Sequence, residues 1–211
     1  MKAIDGHGPS RSRSAVYYPA FLDLRGRRCL VVGGGGVAER KVSGLLDAGT
    51  TVYVVSPRVT AALAALAGAG IIEHRARRFR RHDVRGCTLV VAATGVEKVD
   101  AAVAQAARRV RALVNVVDVP AACDFILPSV LRRGDLQIAV STGGKSPALA
   151  REIRRKLESE FGESCAAVVD WAGRERARVL SSARPPLARR RAAERVATIA
   201  LRRFRRSSIR G

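Results

Sequence analysis

The sequence predicts an α/β protein: a parallel sheet covered by helices on both faces, followed by a smaller, helix-rich region. Three observations carry this expectation. Apolar runs of strand length alternate with helical stretches between residues 28 and 118, the pattern of a parallel sheet whose strands are buried from both sides. The first run leads directly into Gly33 to Gly36 and then into a helical stretch. Beyond Val119 the alternation stops, and segments rich in Ala and Arg take over.

The elements follow in order. Residues 1–16 read as a disordered polar leader, because they lack the apolar core of a signal peptide. RCLVVG (28–33) is a strand, and Val37 to Asp47 a helix with Val37, Lys41, Leu45 and Ala48 on one line and Gly49 as its stop. TVYVVS (51–56) is the second strand, ended by Pro57, and an Ala/Leu helix lies between Pro57 and Gly70. IIEHRA (71–76) is a weaker third strand. CTLVVAAT (87–94), a helix from Glu97 to Val110, and the strand ALVNVVD (112–118) complete the alternation. A loop, a short apolar piece, the turn RRGD and the strand LQIAVS come next. Ser146 is placed to cap a helix from Ala148 to Phe161, with Pro147 at its first position. Beyond Gly162 the helices break at Pro185-Pro186. The expected organisation is a leader (1–16), a sheet domain (17–118), a middle region (119–161) and a basic helical segment (162–211), with the main boundary near residues 118–125.

A chain of 211 residues with 47% hydrophobic content buries a real core, and 4% aromatics means that Val, Leu, Ile and Ala build it. The formal net charge is +21, which favours polyanionic partners: nucleic acid, an acidic membrane surface or a multiply carboxylated small molecule. Residues 171–211 hold 13 Arg against 2 Glu. No recognisable reading motif or interleaved aromatics accompany this charge, so no nucleic acid is expected. No apolar run approaches the roughly 20 residues of a membrane helix, so no membrane is expected and the location reads as cytoplasmic. Cys29, Cys87, Cys123 and Cys165 stand far apart, without metal-ligand spacing. They read as reduced, mostly buried thiols, and no metal site is expected.

The glycine run contains Gly33-x-Gly35-x-x-Ala38 between a strand and a helix, the setting in which this motif binds a dinucleotide and the domain reads as Rossmann-type. Gly33 permits the tight turn, Gly35 lets the backbone approach a pyrophosphate, and Ala38 keeps helix and strand close. The acid that usually closes the second strand and holds the ribose is missing: VVSPR puts Ser56 and Arg58 there. The residues leave NAD and NADP open, because Arg58 suits a 2′-phosphate.

Four pieces in order, FLDLRGRRCLVVGGGGVAERK, VVAATG, NVVDVPAACDFILPS and AVSTGGKSPALAREIR, resemble the siroheme synthase N-terminal module family, the precorrin-2 dehydrogenases and sirohydrochlorin ferrochelatases. The resemblance spans about residues 17–160. It implies a Rossmann-type NAD domain followed by a dimerisation region and a small helical C-terminal domain, in a homodimer. It implies NAD-dependent oxidation of precorrin-2 to sirohydrochlorin, with insertion of ferrous iron as a second reaction in bifunctional members. NAD is favoured over NADP, with Gly36, Val37, Pro57 and Arg58 at family cofactor contacts beside Gly33, Gly35, Ser56 and Thr94. The family's catalytic carboxylate falls on Asp118, at the carboxyl end of a strand, where open α/β sheets hold their ligands. Its second glycine-rich turn falls on Thr142, Gly143, Gly144, Lys145 and Ser146, which with Asn115 form the expected substrate set. TGGKSP resembles an anion-binding turn, and a polycarboxylate such as precorrin-2 gives the positive field an object. His74, His82, Cys123 and Asp124 read as structural. The length leaves no room for the methyltransferase module of longer siroheme synthases, so a separate uroporphyrinogen methyltransferase is expected. The competing reading is a regulatory domain that senses NAD without turnover, which has no need of NVVDxPxxCDF or STGGKSP.

Overall fold

The computed structural model describes residues 17–182 and 185–207, and the expected leader lies outside them. The first of two compact units extends to Ile126. It contains β1 (Arg28–Val32), α1 (Gly36–Asp47), β2 (Thr51–Val55), α2 (Ala61–Gly68), β3 (Glu73–Arg75), β4 (Leu89–Ala92), α3 (Glu97–Arg109) and β5 (Leu113–Val116). The five strands pair in the order β3-β2-β1-β4-β5, every pair parallel.

Valine dominates these strands because both faces are covered. Leu30, Val32 and Val90 join the α3 side of the core, while Cys29, Val31 and Val91 join the side of α1 and α2. Each such side chain, wholly removed from water, contributes about 1.5–3 kcal/mol of burial. Helix α1 buries Ala38, Val42 and Leu45, one position away from the line through Val37 and Lys41 read from the sequence. The smallest of these residues, Ala38, is fully buried and lets the helix lie close to the sheet, which leaves Lys41 half-buried on its flank. Strand β3 is shorter than the run 71–76 because Gly70, at φ 70°, reverses the chain and the N–H groups of Ile71 and Ile72 still bond Leu66 at the end of α2.

The unit also outlasts the strand pattern. Residues 119–126 stay with the sheet because Asp124 lines the free edge of β5. Its N–H donates to the Val114 carbonyl (2.8 Å), and its carboxylate accepts from the Val114 N–H (3.1 Å) and from Arg108. Arg108 also holds the Ala122 carbonyl at 2.8 Å. Asp124 is thus structural.

The second unit begins at Leu127. It consists of β6 (Ser129–Arg133), β7 (Leu136–Val140), α4 (Pro147–Glu160), α5 (Cys165–Ser181) and α6 (Pro186–Ser207). The apolar piece before RRGD is itself a strand: β6 and β7 form an antiparallel hairpin around Gly134, which sits at φ 56°. The middle region 119–161 is not a separate body. Its hairpin and α4 belong with α5 and α6, because a Cβ on Gly134 would lie 3.0 Å from Ala166 and the Arg133 guanidinium bonds both the Phe161 carbonyl (3.0 Å) and Glu163. The Arg-rich end is a helical hairpin. Helix α6 turns Ala192 and Ala200 inward, sets Arg203 over the Trp171 ring at 3.8 Å and places Phe204 edge-on to Phe161. Among the described residues no helix is long and apolar enough to cross a membrane.

Candidate functional site

From β1 the chain proceeds to β2 on one side, while β4 pairs on the other side of β1. The loops that follow β1 and β4 therefore meet at the switch point, where a doubly wound sheet opens its crevice. Gly33 adopts φ 128° and donates its N–H to Val55 (3.0 Å), and any Cβ at this position would lie 2.3 Å from the Ala93 carbonyl oxygen. Gly34 is fixed by a different neighbour: a Cβ there would sit 2.0 Å from the Arg58 carbonyl oxygen. The Thr60 N–H also bonds the Gly34 carbonyl at 2.9 Å. Gly34 lies outside the motif read from the sequence, and only its place within an uninterrupted glycine run signals it.

Gly35 and Gly36 differ from both. They are exposed, and a Cβ on either would meet nothing within 4 Å. Gly35 is the N-cap of α1 and supplies no side-chain cap, so the first N–H groups of the helix remain for an anion. Glu39, the acid of this first turn, accepts the Thr60 hydroxyl at 2.7 Å. Val37 lies half-buried behind the turn, and the space beside Gly35 and Gly36 is open.

The loop after β2 is locked. Ser56 is buried and donates its hydroxyl to the Arg58 carbonyl at 2.6 Å, while its own carbonyl bonds Nε2 of His74 at 2.9 Å. Ser56 therefore shapes the loop rather than presenting a hydroxyl to the crevice, and His74 has the structural role expected of it. Pro57 and Arg58 are exposed. After β4, the Thr94 hydroxyl donates to Asp100 at 2.7 Å and accepts the Val96 N–H at 3.1 Å, and the Thr94 N–H bonds Asp100 at 3.2 Å. Asp100, buried in the first turn of α3, thus fixes this loop. Nothing in the sequence pattern singles it out.

Asp118 stands exposed just beyond β5, at φ 60°. The turn Val116–Val119, closed by the Val119 N–H on the Val116 carbonyl at 3.3 Å, requires a positive φ at this position, which Asp tolerates better than most residues with a Cβ. Asn115 is buried. Its amide donates to the Phe125 carbonyl at 3.1 Å and lies 3.5 Å from the Cys123 sulfur. It secures the segment after Asp118 instead of facing outward. Cys123 packs as expected, its thiol donating to the Val116 carbonyl at 3.1 Å. Burial lowers the pKa of Lys41 and Arg40 adds to this, while the negative charges of Asp118 and the Cys123 thiolate form act in the opposite direction. Lys41 is thus half-buried and within electrostatic reach of Asp118.

In the second unit, Thr142 closes its own turn. Its hydroxyl donates to the Ser146 carbonyl and accepts the Ser146 N–H, both at 3.0 Å. Ser146 caps α4 through the Leu149 N–H at 3.3 Å. Gly143 and Gly144 both have positive φ and open surroundings, and Lys145 is exposed.

Away from these loops, Asp83 is almost fully buried beside Arg77, two of whose nitrogens approach it at 2.6 and 2.8 Å. Burial alone would raise its pKa, but Arg77, the Arg80 N–H and His82 outweigh that and lower it. His82 belongs to this structural cluster. All four cysteines are free and buried, and burial pushes their thiols up, Cys29 to about 11. Among the described residues no group of three or more His, Cys, Asp or Glu is arranged to hold a metal.

Comparison with known proteins agrees with this geometry. A family model described as putative NAD(P)-binding matches residues 20–129, and a second, described as the central part of a sirohaem biosynthesis protein, matches residues 133–160. The siroheme synthase of Methylococcus capsulatus is 45% identical over 174 residues, covering 82% of this chain and 37% of the relative. Siroheme synthase 1 of Aeromonas salmonicida is 47% identical over 163 residues, covering 77% and 35%. The chain thus spans little more than a third of the length of these curated relatives. The solved structure of SirC, a precorrin-2 dehydrogenase, superposes with a TM-score of 0.71 at 26% identity, covering 92% of this chain and all of that one. The chain belongs to the siroheme synthase N-terminal module family.

Proposed function

We propose that the chain oxidises precorrin-2 to sirohydrochlorin, with a nicotinamide dinucleotide in the crevice and Asp118 as the base. The observation that carries this reading is the contrast within the glycine run: two positions are closed by backbone, and two are open beside an uncapped helix start. When bound, NAD⁺ supplies the acceptor for a hydride from the macrocycle. Gly35, Gly36 and the first N–H groups of α1 hold its pyrophosphate, and the loops set by Ser56 and Thr94 flank it. The carboxylate of Asp118 takes the proton that leaves with the hydride, so the step yields sirohydrochlorin, NADH and a proton. The backbone of Asp118 suits that task, since a side chain at φ 60° on a tight turn is held outward at the carboxyl edge of the sheet. Lys145 offers charge to the substrate carboxylates, and Thr142, Gly143, Gly144 and Ser146 shape the turn that carries it. Asn115 supports the segment behind Asp118.

Ferrous iron, where it is inserted, is a substrate, and the same carboxylate is the group placed to accept a pyrrole proton. The homodimer and the cytoplasmic location rest on the family reading.

The test is anaerobic incubation with precorrin-2 and NAD⁺, followed optically, with ferrous iron added afterwards. Sirohydrochlorin and NADH should appear together. Asp118→Asn should keep the fold, because Asn is at home at positive φ, and should lose about 10²–10⁴-fold in rate. Cofactor binding without any oxidation would favour the sensing domain instead.

A further inference from the structure

We propose that the loop between β3 and β4 is a docking surface for the phosphate backbone of a nucleic acid, engaged without regard to base sequence through Arg78, Arg80, Arg81 and Arg85. None of these side chains belongs to the glycine turn, to the loops that flank it or to Asp118.

From Arg75 to Arg85 the chain places six arginines against a single acid, Asp83. A run of like charge this dense repels itself and favours an open chain. Here one buried carboxylate gathers the segment instead. Asp83 accepts from two nitrogens of Arg77 at 2.6 and 2.8 Å and from the Arg80 N–H at 2.8 Å, with Arg75 at 3.5 Å. The backbone closes around it: the Asp83 N–H bonds the Arg80 carbonyl (2.9 Å), and the Arg85 N–H bonds the His82 carbonyl (3.1 Å). Arg77 also holds the Arg78 carbonyl at 3.0 Å. Val84 and Cys87 are buried in the α3 side of the core, and Phe79 packs against it.

The residues of the loop therefore divide into two sets. Arg77, Phe79, Asp83 and Val84 turn inward and fix the backbone. Arg78, Arg80, Arg81 and Arg85 are exposed, and their guanidinium groups have no ion pair among the described residues. Asp83 has its partners without them, so the four outer charges stabilise nothing in the fold and repel one another across a short, fixed segment.

The exposed positions of the loop carry charge and no large apolar side chain, which decides among polyanionic partners. A bilayer surface is held by apolar insertion as well as by charge, and a protein interface by buried aromatic or aliphatic anchors. This loop offers neither. A nucleic-acid backbone needs neither: a duplex presents a negative charge about every 1.7 Å of its axis, and guanidinium forks bond phosphate oxygens in pairs. The lack of a base-reading motif excludes sequence recognition and leaves this mode open.

The test titrates a fluorescently labelled duplex of arbitrary sequence against the full chain over a range of salt, and against two variants of equal net charge. One combines Arg78→Gln, Arg80→Gln, Arg81→Gln and Arg85→Gln. The other combines Arg174→Gln, Arg176→Gln, Arg191→Gln and Arg202→Gln, all exposed on α5 and α6. The loop variant should keep its denaturant midpoint, since none of the exchanged side chains supports Asp83. It should bind about tenfold or more weakly at physiological salt and lose about 3–4 from the slope of log K against log salt. Each single exchange in the loop should lower that slope by about one, and the helix variant should lose much less than the loop variant. Equal losses in the two variants would mean that the duplex senses only total charge, and would overturn the proposal. Undiminished binding by the loop variant, or no binding by the unaltered chain at physiological salt, would overturn it as well. Vesicles containing phosphatidylserine are titrated alongside. If the loop variant loses the vesicles and keeps the duplex, the surface serves a membrane and the proposal fails.

Discussion

The molecule has two glycine-rich turns that each lead into a helix, and they resolve the same local problem in opposite ways. The turn before α1 has no side-chain cap, and two of its glycines face open space. The turn before α4 is closed by its own residues: Thr142 grips Ser146 twice, Ser146 caps Leu149, and Pro147 has no N–H to offer. A helix start carries unsatisfied N–H groups whatever its sequence. Where side chains satisfy them, as before α4, the turn is closed by its own residues. Where they are left open, as before α1, the N–H groups stay free to meet a ligand.

The largest effect that separates the two kinds of glycine in the first turn is expected at Gly34. Gly34→Ala brings a methyl group to 2.0 Å from a backbone oxygen of a locked loop, and should lower stability by about 3 kcal/mol or more, read as a fall in the denaturant midpoint. Gly35→Val is its counterpart. Gly35 has φ −84° and ψ −178°, an extended conformation that any residue adopts, and open space around its Cβ. The fold should tolerate valine to within about 0.5 kcal/mol, while dinucleotide binding weakens by at least about tenfold. If Gly35→Val unfolds the chain, or binds as before, the open half of the turn is not the pyrophosphate site.

These two positions also show how much the sequence disclosed. The spacing of Gly33, Gly35 and Ala38 identified the turn: Gly33 has the positive φ of a tight turn, Ala38 is fully buried against the sheet, and Gly35 faces open space. The sheet was legible for a similar reason: strands buried on both faces leave uninterrupted runs of Val and Leu, whose extent marks them. What stayed hidden depended on contacts distant in sequence. Gly34 matters because Arg58 crosses over it, Asp100 because Thr94 turns back to it, and Asn115 because Phe125 lies beside it. None of these pairs leaves a periodic trace. The extent of the first unit was hidden likewise, since Asp124 prolongs it by lining β5 with no strand pattern of its own.

In the second turn, Thr142→Val keeps the shape of the side chain and removes both of its bonds to Ser146. The cost should be about 1–2 kcal/mol, with dinucleotide binding unchanged. A variant with full stability would show that the two bonds at 3.0 Å do not close this turn, and the contrast with the first turn would weaken.

Ser146→Ala is the mildest test and the most discriminating. It removes the cap of α4 and frees the Leu149 N–H, at a cost of about 1 kcal/mol. In the chain as it stands, a polycarboxylate gains little from the α4 backbone because that donor is already satisfied. In the variant the donor is available, so added citrate should recover part of the lost stability, read as a larger rise in the denaturant midpoint than citrate produces in the unaltered chain. An equal rise in both would mean that anions act only through Lys145 and the general positive charge. The start of α4 would then be no latent counterpart of the start of α1, and the difference between the turns would lie in their surroundings rather than in a single serine.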